Sequence, residues 1–160
     1  MTSAPDMQIV PARAEHAQTL SEIALRSKAH WGYSDAFMRA CRDELTVSTD
    51  DINNPAWRIE VAFVAGKPAG FYTLAPDTDQ SWELHALFVE PRSIGQGIGA
   101  ALFAHAIAAL KRLGASALTI QSDPDAEGFY LAQGARRVGE TASGSIPDRI
   151  LPQLEVVIAP

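Results

Sequence analysis

Apolar positions along the chain change their period several times, and each change marks an element. Residues 7–10 read as a short strand closed by Pro11. Over residues 14–28 the spacing becomes helical, with Ala17, Leu20, Ile23, Ala24 and Ser27 on one face. The segment 30–35 breaks that helix. Ser34 or Asp35 caps a second one running to about Leu45, with Phe37, Met38, Cys41 and Leu45 on its apolar side. Residues 50–55 are polar and turn-rich. Three strand-like runs follow at 58–65, 69–74 and 82–89, separated by Gly66, Lys67 and Pro68 and by a turn at 76–80. A helix over about 97–113 turns Leu102, Phe103, Ala106, Leu110 and Leu113 inward and stops at Gly114. A strand at 117–121 comes next. Pro124 then opens a short helix carrying Phe129 and Tyr130, and strands at 135–140 and 151–158 complete the chain.

This order predicts a mixed α/β sheet: an antiparallel meander with one βαβ crossover, formed by the helix after Gly99 and its parallel neighbour strand. With 160 residues, 47% of them hydrophobic, the chain is read as one domain over residues 1–160. A net charge of -6 argues against a general nucleic-acid binder. No apolar run approaches a membrane span and no signal peptide is visible, so a cytoplasmic protein is expected. The single cysteine, Cys41, forms no internal disulfide and reads as a packed residue despite neighbouring Arg39 and Arg42.

The densest chemistry lies in residues 84–103, where an apolar run stops at Pro91, a glycine-rich turn follows and a helix begins. Such a junction cradles anions, because first-turn N–H groups lack helical partners and glycines let a ligand approach the backbone. A Walker A loop would need Lys-Ser or Lys-Thr where Ala100 and Ala101 stand. A dinucleotide fingerprint would place its third glycine one position later and directly follow its strand.

The run Val89, Glu90, Pro91, Arg92, Ser93, Ile94, Gly95, Gln96, Gly97, Ile98, Gly99 resembles the acetyl-CoA-binding motif of the GNAT-type N-acyltransferase superfamily, with Ile94 where Arg or Gln is usual. Residues 123–135 resemble a second motif of that family, with Asp123 in place of Asn and Ala135 in place of Phe. The resemblance implies acyl transfer from acetyl-CoA to a primary amine of a small molecule or peptide, with no metal, and makes a homodimer plausible. The alternative is a CoA-binding sensor of the same fold with little turnover. By the same resemblance, Leu87, Phe88 and Val89 pair with the pantetheine arm. Gly95, Gln96, Gly97, Ile98 and Gly99 cradle the pyrophosphate, aided by Arg92 and the Ile94 amide, while Asp123, Ala126 and Phe129 complete the cofactor site. Gly97 and Gly99 are expected to tolerate a side chain least. Tyr130 stands where relatives place the acid that protonates the departing thiolate.

The base is left open between Glu83 and His85, with His30 a further possibility. Period-two alternation puts Glu83 and His85 on one face, opposite Trp82, Leu84 and Ala86. His30, Trp31 and Tyr33 are the acceptor-site candidates. Arg149, in a polar loop before the last strand, is free to meet a carboxylate. Asp43, Glu44, Asp50 and Asp51 cluster in sequence, and a polyamine site would be lined by such carboxylates.

Overall fold

The structure is a computed structural model that describes residues 6–158. Strand β1 (Met7–Pro11) is followed by a 3-10 turn and then helices α1 (Ala17–Ala29), α2 (Asp35–Leu45) and α3 (Thr49–Asn53). The meander β2 (Arg58–Val64), β3 (Lys67–Pro76) and β4 (Ser81–Val89) leads through the glycine turn into α4 (Ile98–Arg112). Strand β5 (Ala117–Gln121), helix α5 (Glu127–Ala132) and strands β6 (Arg136–Ala142) and β7 (Ile150–Val157) follow. The sheet order is β1-β2-β3-β4-β5-β7-β6, antiparallel except between β4 and β5. The expected meander and crossover are therefore present. Among the described residues no helix is long and apolar enough to cross a membrane.

Both faces of the sheet are covered. Leu20, Ile23 and Cys41 from α1 and α2 pack on Val61 and Phe71. On the other face Leu102, Ala106 and Leu110 of α4 pack on Leu74, Leu84, Leu118 and Leu154. Each fully buried Leu or Phe contributes roughly 1.5–3 kcal/mol, so the two clusters supply the main driving force. Residue-by-residue burial of β3 from Ala69 to Ala75 follows from this double cover. Leu113 departs from expectation: it is the C-cap of α4 and 47% exposed, because the helix ends before that position returns to the core.

Two local features were not anticipated. The segment around Asp50 forms the short helix α3, held by a reciprocal Ser48–Asp51 capping box. In addition, β4 carries a bulge: Thr73 pairs with Ala86 and Leu74 with Leu84, leaving His85 as the extra residue. The bulge resets the alternation. Leu84, Leu87 and Val89 face α4, whereas Ala86 and Phe88 face α1 and α2. Ala86 is thus not on the Trp82 and Leu84 face, as strict alternation predicted.

Gly70 is the tight point of the sheet. A Cβ there would lie 2.8 Å from the Phe88 carbonyl oxygen and 3.1 Å from Leu102. Gly70→Ala should therefore cost about 1–3 kcal/mol through forced backbone movement, read as a lower midpoint with an unchanged slope in urea unfolding.

Candidate active site

Strand β4 pairs with β3 along its length but with β5 only through Ser81, Trp82 and Glu83, opposite Ala117, Leu118 and Thr119. Past Glu83 the two strands diverge. A cavity of about 850 Å³ opens between them, walled by residues 83–89 of β4 on one side and by Ile120, Gln121 and the start of α5 on the other. The edge of β4 in this gap offers backbone donors and acceptors with no neighbouring strand, the geometry that recruits an extended ligand as an added strand.

At the end of β4 the chain is pinned before it turns. Glu90 is buried, its amide donates to the Ala69 carbonyl at 2.7 Å, and its carboxylate takes both Nε and an Nη of Arg26 at 2.9 and 2.8 Å. Gly95 (φ 89°) and Gly97 (φ 79°) both adopt the left-handed region, and Gly97 caps α4. Among the described residues, no backbone N–H from Gly95 to Ala100 donates to a protein carbonyl. This row of free amides at the N-terminus of a fifteen-residue helix is an anion cradle facing the cavity. Gly99 is less constrained than the sequence implied: a Cβ there would meet Phe129 at 3.4 Å, an ordinary contact. Strain falls on Gly95 and Gly97 instead.

Tyr130 is buried on the cavity wall, packed against Phe103 and Phe129 with centroids 5.9 and 5.2 Å away. Burial, and secondarily the charge of Asp123, push its phenol well above the usual range, so it is protonated throughout the neutral region. Glu83 and His85 sit together at the mouth of the gap, Oε1 to Nε2 3.9 Å, and His85 stacks on Trp57 at 5.0 Å.

A cavity formed by diverging parallel strands, ending in a row of unpaired amides, is matched by sequence: a model described as the Acetyltransferase (GNAT) family covers residues 21–135. The chain belongs to this family. Among solved structures, the PaiA N-acetyltransferase of Thermoplasma acidophilum in complex with coenzyme A is similar at 19% identity, TM-score 0.76, covering 95% of this chain and 99% of that one. An aminoglycoside 6'-N-acetyltransferase complexed with coenzyme A aligns at 18% identity, TM-score 0.70, over 96% and 98% of the two chains. The ribosomal-protein-S18-alanine N-acetyltransferase of Escherichia coli does so at 18%, TM-score 0.71, over 96% and 94%. At these identities the likeness establishes the fold alone. A comparison with curated proteins finds no match.

Most of the residues singled out in the sequence line this same cavity of the GNAT domain: His30, Trp31, Glu83, His85, Leu87, Phe88, Val89, Ile94, Gly95, Gly97, Ile98, Gly99, Asp123, Ala126, Phe129 and Tyr130. Three do not. Arg92 and Gln96 are exposed and are not among the residues that line it. Tyr33, expected at the acceptor, instead stacks on Phe37 at 4.1 Å and sends its hydroxyl to Asp123 and Asp125 at 2.9 Å each. A hydroxyl has one proton, so it serves one of these carboxylates at a time.

Asp123 itself is a junction. Its carboxylate accepts from Lys28 Nζ at 2.6 Å, from Tyr33 and from the Asp125 amide, and lies 3.4 Å from Arg149. The Arg149 guanidinium also donates to the Tyr33 hydroxyl at 2.9 Å and covers the Tyr33 and Phe37 rings at 5.1 and 4.7 Å. Burial alone raises the Asp123 pKa. The hydrogen bonds from Lys28, the Asp125 amide and Tyr33, with the Lys28 charge, outweigh it and hold the carboxyl below its ordinary value. Arg149 thus meets a carboxylate of its own chain. Neither the role of Lys28 nor the Arg26–Glu90 pair is visible in local sequence, because the partners lie 95 and 64 residues apart.

A depressed carboxylate pKa adds stability that is present above the unfolded value near 3.8 and lost as pH falls toward the folded one. Asp123→Asn leaves Lys28 and Arg149 half-enclosed without their anion. It should lose about 2–4 kcal/mol at pH 7 and show a flatter decline between about pH 5 and pH 2 in acid titration of the unfolding midpoint.

Proposed function

We propose that this GNAT protein transfers the acetyl group of acetyl-CoA to a primary amine by direct attack. The observation that carries this reading is the unpaired β4 edge running straight into the row of free amides, one ligand-length feature with strand-like pairing at one end and an anion cradle at the other. The pantetheine amides match the edge and the pyrophosphate matches the cradle. Ile94, where Arg or Gln is usual, adds no free donor, contrary to expectation: its amide donates to the Pro91 carbonyl at 3.3 Å, so the cradle begins at Gly95.

In the reaction the amine nitrogen bonds to the thioester carbonyl carbon and the carbon–sulfur bond breaks. The thiolate takes one proton, and the attacking ammonium loses two overall, one of them before attack. Backbone N–H groups of β4 near Phe88 and Val89 polarise the carbonyl as negative charge grows on its oxygen. Tyr130 returns a proton to the thiolate. Burial keeps the Tyr130 proton in place through the neutral region, so it is there to be given to the thiolate. An alkylammonium loses its proton near pH 10.4 in water, so a base is required. Glu83 and His85, side by side at the mouth of the gap, are positioned to accept it directly or through water.

Thiol release in the presence of acetyl-CoA and a panel of primary amines tests the reading. Amine-dependent release supports it, and failure of acetyl-CoA to bind would sink it. Tyr130→Phe should lower kcat by about 10²-fold or more while the acetyl-CoA dissociation constant changes little. Gly97→Ala should do the reverse, weakening acetyl-CoA binding with a smaller effect on kcat at saturation.

A further inference from the structure

A second, smaller cavity of about 190 Å³ adjoins the first, sharing Glu44, Leu45, His85, Ala86 and Phe88 with it. Asp43, Glu44 and Asp51 line it, whereas no lysine or arginine does. Among the described residues no cation pairs with any of these three carboxylates. Asp51 uses one oxygen to accept from the Ser48 amide at 3.1 Å. Trp57, stacked on His85, forms an aromatic side. At the bottom sits Thr73, only 4% exposed, whose hydroxyl has no hydrogen-bond partner among the described residues. Among the described residues the sealed side-chain atom lacking a partner is Arg58 Nε, so the Thr73 hydroxyl is open to the cavity rather than enclosed in the core. An unpartnered hydroxyl on a buried threonine, with three carboxylates that lack an ion pair and an indole face around the same cavity, makes a site for a cation that can also donate hydrogen bonds.

Resting on the acetyl-transfer reading, we infer that the acceptor is a slender linear diamine: one amine reaches the thioester at the β4 gap while the second, as ammonium, is held in the small cavity by Glu44, Asp43, Trp57 and Thr73. Size supports this chemistry over bulkier cations. Sites for drug-sized ligands run about 300–1,000 Å³, and a volume of about 190 Å³ admits an alkylammonium chain but not a linked pair of sugar rings. Glu44 stands at the junction of both cavities, where it meets the second charge as the first amine enters the gap. The Asp123 carboxylate does not compete for the diamine, because Lys28 and Arg149 already neutralise it.

The test compares butylamine with putrescine, its diamine counterpart, by thiol release with saturating acetyl-CoA at low and high salt. The inference expects putrescine to exceed butylamine about tenfold or more in kcat/KM, corresponding to one held charge pair, and the advantage to shrink with salt. Asp43 and Glu44 are exposed, and the double variant Asp43→Asn, Glu44→Gln should bring the putrescine-to-butylamine ratio toward one. Equal rates for the two amines, or a ratio unmoved in the variant, overturn the diamine assignment while leaving acetyl transfer intact. If acetyl-CoA binds but no amine releases thiol, acetyl transfer itself falls. Calorimetric titration with putrescine then decides the cavity: binding lost in the double variant keeps the cation site, and binding equal in both proteins removes it.

Discussion

The divergence of β4 from β5 after three paired residues is the constraint from which the rest of the site follows. Parallel neighbours normally continue side by side, because each buried N–H and C=O needs a partner. Here pairing stops at Glu83, yet β4 continues to Val89 with only β3 beside it. The other edge of β5 is taken by β7, so the sheet cannot close by sliding. The bulge at His85 falls just where the strands part. It adds twist to β4 and puts an extra side chain at the mouth of the gap. A backbone edge left open inside an apolar cleft costs roughly 1–3 kcal/mol per unmet group if water is excluded. That cost is recovered when an extended ligand with its own amides supplies the missing partners, which makes binding selective for such a ligand.

An open cleft must also be kept from collapsing, and ion pairs centred on two carboxylates, Glu90 and Asp123, do this at its ends. Arg26 clamps Glu90 at the point where β4 becomes the glycine turn, tying α1 to the start of the cradle. At the opposite wall, Asp123 gathers Lys28 from α1, Tyr33 from the segment before α2 and Arg149 from the loop before β7. Groups from the 28–33 region and from the loop at Arg149 thus converge on one carboxylate beside the cavity. Partly buried pairs of this kind gain more from geometry than exposed ones, since several hydrogen bonds share each desolvation cost. Their consequence for function is spatial: the roof over the gap is held by polar contacts, while the floor is held by the α4 core.

Periodicity made the elements legible because burial on both faces of this sheet leaves local marks. The spacing of Leu20, Ile23 and Ala24 gave α1, and that of Leu102, Ala106 and Leu110 gave α4. The glycine turn was legible for a different reason: left-handed backbone at Gly95 and Gly97 demands glycine, so the geometry is written in the residue type. What stayed illegible is what tertiary contacts decide. The His85 bulge is a property of the β3–β4 register, and no feature of residues 82–89 distinguishes a bulged strand from a regular one. Tyr33 carried an aromatic signature suited to an acceptor site, but its hydroxyl is claimed by Asp123 and Asp125 across about ninety residues of chain. Gly99 belongs to the motif by position, yet its constraint is only the nearness of Phe129, a contact that the sequence could not measure.

The charges around the cleft separate into two kinds, and the difference has functional weight. On the Asp123 side every cation has an anion within reach, so that corner is electrostatically spent and serves to hold shape. On the α2–α3 side, Asp43, Glu44 and Asp51 face a small cavity with no cation against them, and their mutual repulsion is not relieved by the fold. Repulsion of this sort persists only where removing it would sacrifice something, or where a ligand relieves it. These carboxylates are part of the net charge of -6, and leaving Asp43 and Glu44 without a cation brings the fold no Coulombic gain. The corner therefore reads as selection for what enters, a positively charged chain, and the neutralised corner as the scaffold that keeps the entrance open.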